Sequence, residues 1–587
     1  MRAALGLNDG YNSSAALMVD GTVVACAQEE RFTRVKNQSG YPRLAVEYCL
    51  AAAGLDAGAL ETVVLGGLLG HYPEDPSRRP PLRPYSALQV AAKALEYRLP
   101  VTRAHQVLSG AFRRGFAFTN AAARRHAVTA HLELAPAKVM FAPHHEAHAA
   151  ASLFFGLPAG ATILTADGEG DHVSATVSRW TGSVFEPLAA TGLHHSLGNV
   201  WAAATAYLRM KPHEHEHKLM GLAPYADATA SGRAAARVAQ LIGLDGGGLG
   251  FRSPYSTRMA MSFIEDRCRE FRFDILAGGL QAHTEDLLRR WARNAVIRAG
   301  GAGTVGLGGG VFMNVKANQR IAELEEVDRV LPVPGCGDES LALGALAWWQ
   351  VRAGRRVEEL DTLALGPEYD EAAIRTDLEG TGLRVSKPRS LDAAVALLLS
   401  EGEVVARFDG RMEFGARALG QRSILGHPGR RELVAELNSQ IKNRDFWMPF
   451  APSILETEAA RYIENPKALP APHMMLTFDS TERGRAELAA AIHPADATTR
   501  PQLVPAATPY GRLIEAFRRR TGTAAVLNTS FNLHGEPIVC SPRDAVDTLL
   551  RSGLKHLAIG PYLVSKPADA EGAAPGARPR TATLGSS

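Results

Sequence analysis

Three times before residue 341 an apolar run of strand character ends in a glycine-rich turn bearing an acid or an amide. The runs are Ala161–Asp171 ("ATILTADGEGD"), Thr304–Asn314 ("TVGLGGGVFMN") and Leu331–Ser340 ("LPVPGCGDES"). Short apolar runs closed by turn residues and followed by helical periodicity predict the strand–turn–helix units of an α/β fold. Glycines at such a turn let the backbone approach a ligand closely, and the exposed N–H groups of a following helix favour an anion. One such turn reads equally as a tight connection. Three in one domain point to a nucleotide or phosphorylated ligand between two lobes. Gly168, Gly308, Gly309, Gly310 and Asn314 are then the candidate binding positions, and Asp167, Glu169 and Asp171 the acids that hold a cation or orient a hydroxyl. Neither GxxxxGK[ST] nor GxGxxG occurs, which excludes a P-loop and a Rossmann opening.

The second constraint is "APHHEAHAAAS" at 142–152. On a helix, positions i and i+4 share a face, so His144 and His148 point the same way, as two imidazoles on one divalent metal must. His145 and Glu146 point elsewhere. The glutamate stands third, not second, so the HExxH arrangement of zinc proteases loses its general base. Alone, the pair reads equally as packed helix histidines.

At 587 residues the chain exceeds one compact core, and two or more domains are expected. A formal net charge of +3 gives no general case for nucleic acid or membrane. The five cysteines include no CxxC pair, so neither a disulfide framework nor a thiolate zinc site is indicated. No signal peptide and no membrane-length apolar run is seen, and a cytoplasmic location is expected. "SSAALMVDGTVVACAQ" reads as a hairpin with an Asp-Gly turn, and residues 85–135 as largely helical and arginine-rich. The expected organisation is a domain over 1–353, a linker over 354–375, a second α/β unit over 376–566 and a disordered tail over 567–587. No fixed-period internal repeat is found.

Basic residues in the second half alternate with glycine, proline and aromatics. "GRMEFGARALGQRSILGHP" holds Arg411, Arg417 and Arg422; "NSQIKNRDFWMPFAPSIL" adds Lys442 and Arg444; "ADATTRPQ" adds Arg500. Arginine grips phosphate through two donors and lysine supplies a point charge, so these are groups expected around a phosphate and an ATP tail. In "LNTSFNLHGEPIV", Asn528, Thr529, Ser530 and Asn532 are placed to hydrogen-bond a carbamoyl amide or a ribose, or read simply as a polar turn.

The order His-x3-His, DGxGD, "EHKLMGLAPY", GGGV-x-x-N and a Gly-Asp turn resembles the Kae-type branch of the actin-like ATPase (ASKHA) fold. The motifs "ARALGQRSIL", "MPFAPS" and "LNTSFNLHGEP" resemble the YrdC-like domain of the O-carbamoyltransferases of natural-product biosynthesis. That family acts on nodulation factors, aminoglycosides, cephems, ansamycins and macrolides, and the resemblance covers about residues 3–565. It implies a two-lobed Kae-type domain followed by a YrdC-like α/β domain. It implies carbamoyl adenylate and pyrophosphate made from carbamoyl phosphate and ATP, then transfer of the carbamoyl group to an acceptor hydroxyl. His144, His148 and Asp338 would be metal ligands, suiting Fe(II) or another divalent ion, with Mg2+ accompanying ATP. Arg417, Arg422, Lys442, Arg444 and Arg500 would serve the phosphates, with Lys218 among the nucleotide-binding positions.

Two departures stand out. The family's His-Asp pair before "SAAL" is Tyr11-Asn12 here, leaving Asp9 as the substitute base, and its "DGTxR" is "DATTR", with Ala497 for glycine. A macrolide or polyketide hydroxyl, or one on an attached sugar, is the favoured acceptor. Oligomeric state stays open, a homodimer included. The rival readings are a threonylcarbamoyladenosine-type RNA-modifying enzyme and an actin-like sugar kinase. A non-enzymatic nucleotide-binding scaffold is a third.

Overall fold

The Asp-Gly turn forms as the sequence predicts. Strands β1 (Ala3–Asn8), β2 (Ser14–Val19) and β3 (Thr22–Gln28) run antiparallel, and both Asp20 and Gly21 have positive φ, 49° and 96°. That is the requirement of a two-residue hairpin loop whose twist matches its strands. Strands β4 (Leu60–Gly66) and β5 (Val139–Ala142) continue the sheet in parallel beyond β1, giving the order β3-β2-β1-β4-β5. The computed structural model describes residues 2–69, 120–301, 303–442 and 445–567.

The same plan then recurs. Strands β6 (Thr162–Gly170), β7 (Val173–Trp180), β8 (Phe185–Gly192), β9 (Thr304–Gly308) and β10 (Arg329–Pro332) form a second sheet of order β10-β9-β6-β7-β8, with β6 antiparallel to β7 and parallel to β9. The repeat is one of topology, with insertions of unequal length, which is why no sequence period betrays it. These two lobes are the actin-like half that the sequence implies.

Helix α1 (His144–Ala151) leaves β5, and helix α2 (Leu341–Arg352) packs on α1 and on β1. Glycine permits the close approach. A methyl group on Gly6 would lie 2.0 Å from the Ala342 carbonyl, and one on Gly344 2.0 Å from the Ala147 carbonyl.

A third, mixed sheet is built from β11 (Arg384–Ser386), β12 (Val405–Phe408), β13 (Arg422–Gly426), β14 (Ala451–Leu455), β15 (Gln502–Val504), β16 (Ala525–Ser530), β17 (His556–Ile559) and β18 (Tyr562–Ser565). Its order is β11-β18-β17-β12-β13-β16-β14-β15. One buried apolar cluster runs from Leu164, Leu307 and Phe312 of the second lobe to Ile454, Leu503 and Phe517 of this sheet, so the halves share a core.

The segment read as a linker is packed rather than free. Leu363 and Leu365 are buried, and the Leu365 carbonyl accepts from Cys26 N, Tyr48 Oη and Arg411 Nη2. Of the arginine-rich helical stretch, residues 120–132 are helical and 85–119 lie outside the described residues. The tail expectation concerns residues that, after 567, also lie outside them. No helix among the described residues is long and apolar enough to cross a membrane.

Candidate metal centre

Asp171 starts the site by starting α1. Its Oδ2 accepts the His144 backbone N–H (2.7 Å) and the Leu68 N–H (3.0 Å), and its Oδ1 accepts the Leu69 N–H (2.9 Å). A carboxylate at a helix N-terminus satisfies donors that have no partner within the helix. Asp171, expected to hold a cation, is therefore occupied as a cap, and Glu169 is engaged by Arg258 through both oxygens. With α1 so anchored, the His144 ring lies flat on Gly170, where a Cβ would fall 2.1 Å from it.

His144 and His148 then face one another, Nε2 to Nε2 at 3.1 Å. From His148 Nε2, Asp167 Oδ2 is 3.3 Å away and Asp338 Oδ1 3.6 Å; from His144 Nε2 the distances are 4.0 and 3.6 Å. All four donor atoms lie within 4.8 Å of one another. Donors bonded at about 2.1 Å to one ion stand roughly 3–4 Å apart, so the set fits a divalent metal. Two imidazoles with two carboxylates suit a transition ion better than Mg2+ or Ca2+. Asp167, one of the three acids the sequence offers for holding a cation, is thus placed as a fourth donor beside His144, His148 and Asp338. Parallel pairing of β6 with β9 brings it there, and the Gly168 N–H (2.6 Å) and Gly310 N–H (3.0 Å) hold its two oxygens.

Charge in the cluster follows. Burial opposes a proton on His148, but hydrogen bonds to Asp167 and Asp338 outweigh it and lift the imidazole to about 9. Burial likewise opposes the Asp167 charge, and hydrogen bonds from His144 and His148 prevail and hold the carboxyl well below its ordinary range. His145 is the opposite case. Burial, with His144 and His148 nearby, pushes it down to about 3, and its Nδ1 and Nε2 are taken by Thr165 Oγ1 (2.7 Å) and the Val173 carbonyl (3.0 Å). Glu146 accepts the Trp348 indole N–H at 2.7 Å. Both flanking residues of the motif are structural.

The glycines of the second turn act mainly in packing. Gly309 has φ 91°, and a Cβ there would lie 2.3 Å from the Ala166 carbonyl; one on Gly308 would lie 2.9 Å from the His148 carbonyl. Asn314 caps the helix Val315–Ala322 and exchanges two hydrogen bonds with Gln281. Lys218 pairs with Asp445 at 3.1 Å, away from the cluster and at the contact with the third sheet's half.

Asp9 does not serve as a free base. Arg124 Nε and Nη2 grip its two oxygens at 2.8 and 2.7 Å, and the same guanidinium donates to the carbonyls of Gly66 and Gly67. The ion pair ties the β1–β2 turn to the end of β4. Tyr11 Oη donates to the His213 carbonyl at 2.6 Å, and Asn12 Nδ2 lies 3.5 Å from Glu339 Oε2. Glu339, only 2% exposed, is pushed up to about 7 by burial; the sequence showed it only as an acid at a helix start.

In the second half the basic residues separate. Arg422 is fully buried; its guanidinium donates to the carbonyls of Pro367, Asp409, Gly410 and Gln421 and stacks 3.6 Å above the Phe408 ring. Lys442 is 2% exposed and donates to Ser530 Oγ and to Asn532 Oδ1 and O. Both were expected to serve phosphates; here Lys442 and the two terminal nitrogens of Arg422 are taken by backbone and side-chain oxygens, while Arg422 Nε is buried with no hydrogen-bond partner. Arg411 binds the carbonyls of Val24, Leu365 and Gly366. Arg444 lies outside the described residues; Arg500 is half-buried beside the strand Thr498–Thr499. Thr529 is buried within β16, while Ser530 and Asn532 are drawn to Lys442.

Arg417 sits where the two halves meet. The loop 410–420 crosses to the first half, where Arg31 Nη2 donates to the Gly415 carbonyl and Gly415 meets Gly335 of the turn bearing Asp338. Burial lowers the Arg417 guanidinium from its ordinary value, with Cys336 and Glu339 the nearby groups that counter the effect, and its Nε is buried with no hydrogen-bond partner.

Comparison with known proteins places the chain. Residues 3–347 match the carbamoyltransferase N-terminal family and residues 396–566 the carbamoyltransferase C-terminal family. An uncharacterized protein of Synechocystis is 31% identical, aligned over 97% of both chains. Nodulation protein NolNO of Sinorhizobium fredii is 30% identical over 95% of this chain and 79% of its own. Among solved structures, component A of the Acidaminococcus fermentans 2-hydroxyglutaryl-CoA dehydratase covers 60% of this chain and 99% of its own (14% identity, TM-score 0.32). HypF of T. kodakarensis covers 60% and 48% (12% identity, TM-score 0.31). With family matches over most of its length and relatives at this identity, the chain belongs to the carbamoyltransferase family and is a carbamoyltransferase.

Proposed function

We propose that this carbamoyltransferase uses ATP and carbamoyl phosphate, and passes the carbamoyl group through an adenylate to a hydroxyl of a small natural product. With water as co-reactant, the phosphate of carbamoyl phosphate is released, the carbamate oxygen bonds to the α-phosphorus of ATP, and pyrophosphate leaves. In the second step the acceptor oxygen bonds to the carbamoyl carbon, AMP leaves and one proton is released. An adenylate of this kind is lost to water unless it is enclosed, and two linked centres in one chain keep it enclosed.

The observation that carries this reading is Arg417. A buried guanidinium nitrogen without a partner is costly, by about 1–3 kcal/mol, and a phosphate oxygen satisfies it. It stands on a loop of the second half, packed against the turn that bears Asp338 in the first. We assign Arg417 and Arg500 to the phosphates, and His144, His148, Asp167 and Asp338 to a divalent ion, Fe(II) being the ion proposed. When bound, that ion supplies charge that steadies the adenylate phosphate as a leaving group. A polyketide macrocycle or its sugar remains the acceptor class we favour.

The test is ATP–pyrophosphate exchange without acceptor. Wild type is expected to exchange only when carbamoyl phosphate is present, and His144→Ala to exchange normally while failing to carbamoylate an acceptor. Formation of ADP would point instead to a kinase. Exchange that requires threonine and bicarbonate would point to RNA modification.

A further inference from the structure

Two buried hydrogen-bond acceptors go unused on side chains that bond the Ala418-Leu419 stretch of the loop 410–422. Glu413 is 2% exposed. Its Oε1 accepts the N–H groups of Leu419 (2.7 Å) and Arg422 (3.1 Å), which shapes the loop. Its Oε2 is buried with no hydrogen-bond partner; the buried Arg422 guanidinium attracts the carboxylate, but its Nε is likewise unpartnered and the two form no ion pair among the described residues. Asn528 on β16 is 1% exposed. Its Nδ2 is surrounded by acceptors, namely the Ala418 carbonyl (3.1 Å), Ser453 Oγ (3.0 Å) and Gln502 Oε1 (3.3 Å). Ser453 Oγ is itself a donor to Gln502 Oε1, and Gln502 Nε2 donates to the Leu419 carbonyl. That network fixes which way the Asn528 amide faces, so the atom left over is the oxygen, and Oδ1 is buried without a partner.

Two buried acceptors left unmade are unfavourable, and native proteins retain such groups where a ligand completes them. The missing partner must bring N–H donors. Resting on the function proposed above, we propose that Glu413 Oε2 and Asn528 Oδ1 receive the amino group of carbamoyl phosphate and of the carbamate formed from it. The pair is then the specificity determinant that separates a carbamoyl donor, with two N–H bonds to give, from an acyl phosphate that has none. Discrimination by hydrogen bonding is steep because the wrong substrate leaves buried acceptors unpaired. The loop that carries Glu413 turns on Gly410, Gly415 and Gly420, all at positive φ (56°, 101° and 113°).

Glu413→Gln separates recognition from folding. The glutamine keeps an oxygen for the Leu419 and Arg422 N–H groups and replaces the unused acceptor by a donor. Exchange is measured with carbamoyl phosphate and with acetyl phosphate, at varied ATP, on wild type and variant of matched thermal stability. The wild type is expected to prefer carbamoyl phosphate at least a hundredfold in kcat/KM, and Glu413→Gln to cut that preference at least tenfold, with KM for ATP unchanged. Equal use of acetyl phosphate by the wild type, or an unaltered preference in the variant, overturns the assignment. A raised KM for ATP alone would give the acceptors to the adenine amino group and also overturn it. No exchange by the wild type removes the functional reading and this one together.

Discussion

At the scale of the residue, the candidate metal centre is four side chains competing for one positive charge. With His148 raised to about 9, a proton occupies the site at neutral pH, and a metal must displace it. The sign follows: affinity for a divalent ion rises with pH, roughly tenfold per unit, until about pH 9 and then levels. Proton release on adding Fe(II) or Co(II) to weakly buffered apoprotein checks this; an affinity independent of pH between 7 and 9 would contradict it. Asp167→Asn is expected to weaken metal binding by at least about tenfold, because an amide oxygen replaces a carboxylate that two backbone N–H groups aim at the site. Metal content after dialysis reads the loss. The histidine pair was legible from i,i+4 spacing and Asp167 as a cation-holding acid from its glycine-rich stretch, whereas their meeting in one cluster was not, because it depends on which strand pairs with β6.

Elements hold these side chains through close contacts that small residues allow. Gly344→Ala puts a methyl 2.0 Å from the Ala147 carbonyl and must drive α2 from α1, the helix of both histidines. Overpacking of this kind costs about 1–3 kcal/mol, and a reduced metal affinity should accompany the lower midpoint of denaturant unfolding. Ala497 presents the reverse case. It sits at φ 55°, where a side chain is strained by about 1–2 kcal/mol and glycine is not. Ala497→Gly should leave stability unchanged or raise it by up to about 1 kcal/mol; a clear destabilisation would show that the loop relies on the methyl group. Strands, helices and the Asp-Gly hairpin followed the local pattern. The glycine-rich stretches after β9 and β10 form turns as read, whereas Asp167–Gly170 belongs to β6, which continues through an irregular register into its hairpin with β7; the glycines are spent largely on packing and on holding Asp167.

Across the whole molecule, the halves are joined by a shared apolar cluster and by arginines that cross between them. Arg34 donates to the carbonyls of Pro537 and Ile538, Arg31 to Gly415, and Arg411 to Val24. A single calorimetric transition is therefore expected for the full chain. Arg411→Ala, which strips buried carbonyls of their donor, should lower its midpoint and split it into two, while an unchanged single transition would show that the apolar contact suffices. The same joining explains why the stretch 354–375 reads as a linker by composition yet is buried along its middle.

Composition, periodicity and spacing were enough for the α/β class, the histidine pair and, through long motifs, the family. These are properties of residues near one another in the chain, where rotation per residue sets which side chains share a face. The duplicated sheet order, the engagement of Asp9 by Arg124, the burial of Arg422 and Lys442, and the packing of the Arg417 loop on the turn that bears Asp338 rest on contacts between residues far apart in sequence. An arginine whose donors end on buried carbonyls and one whose donors stay open look alike in a motif. Their difference lies in whether a distant backbone oxygen has already satisfied the donor.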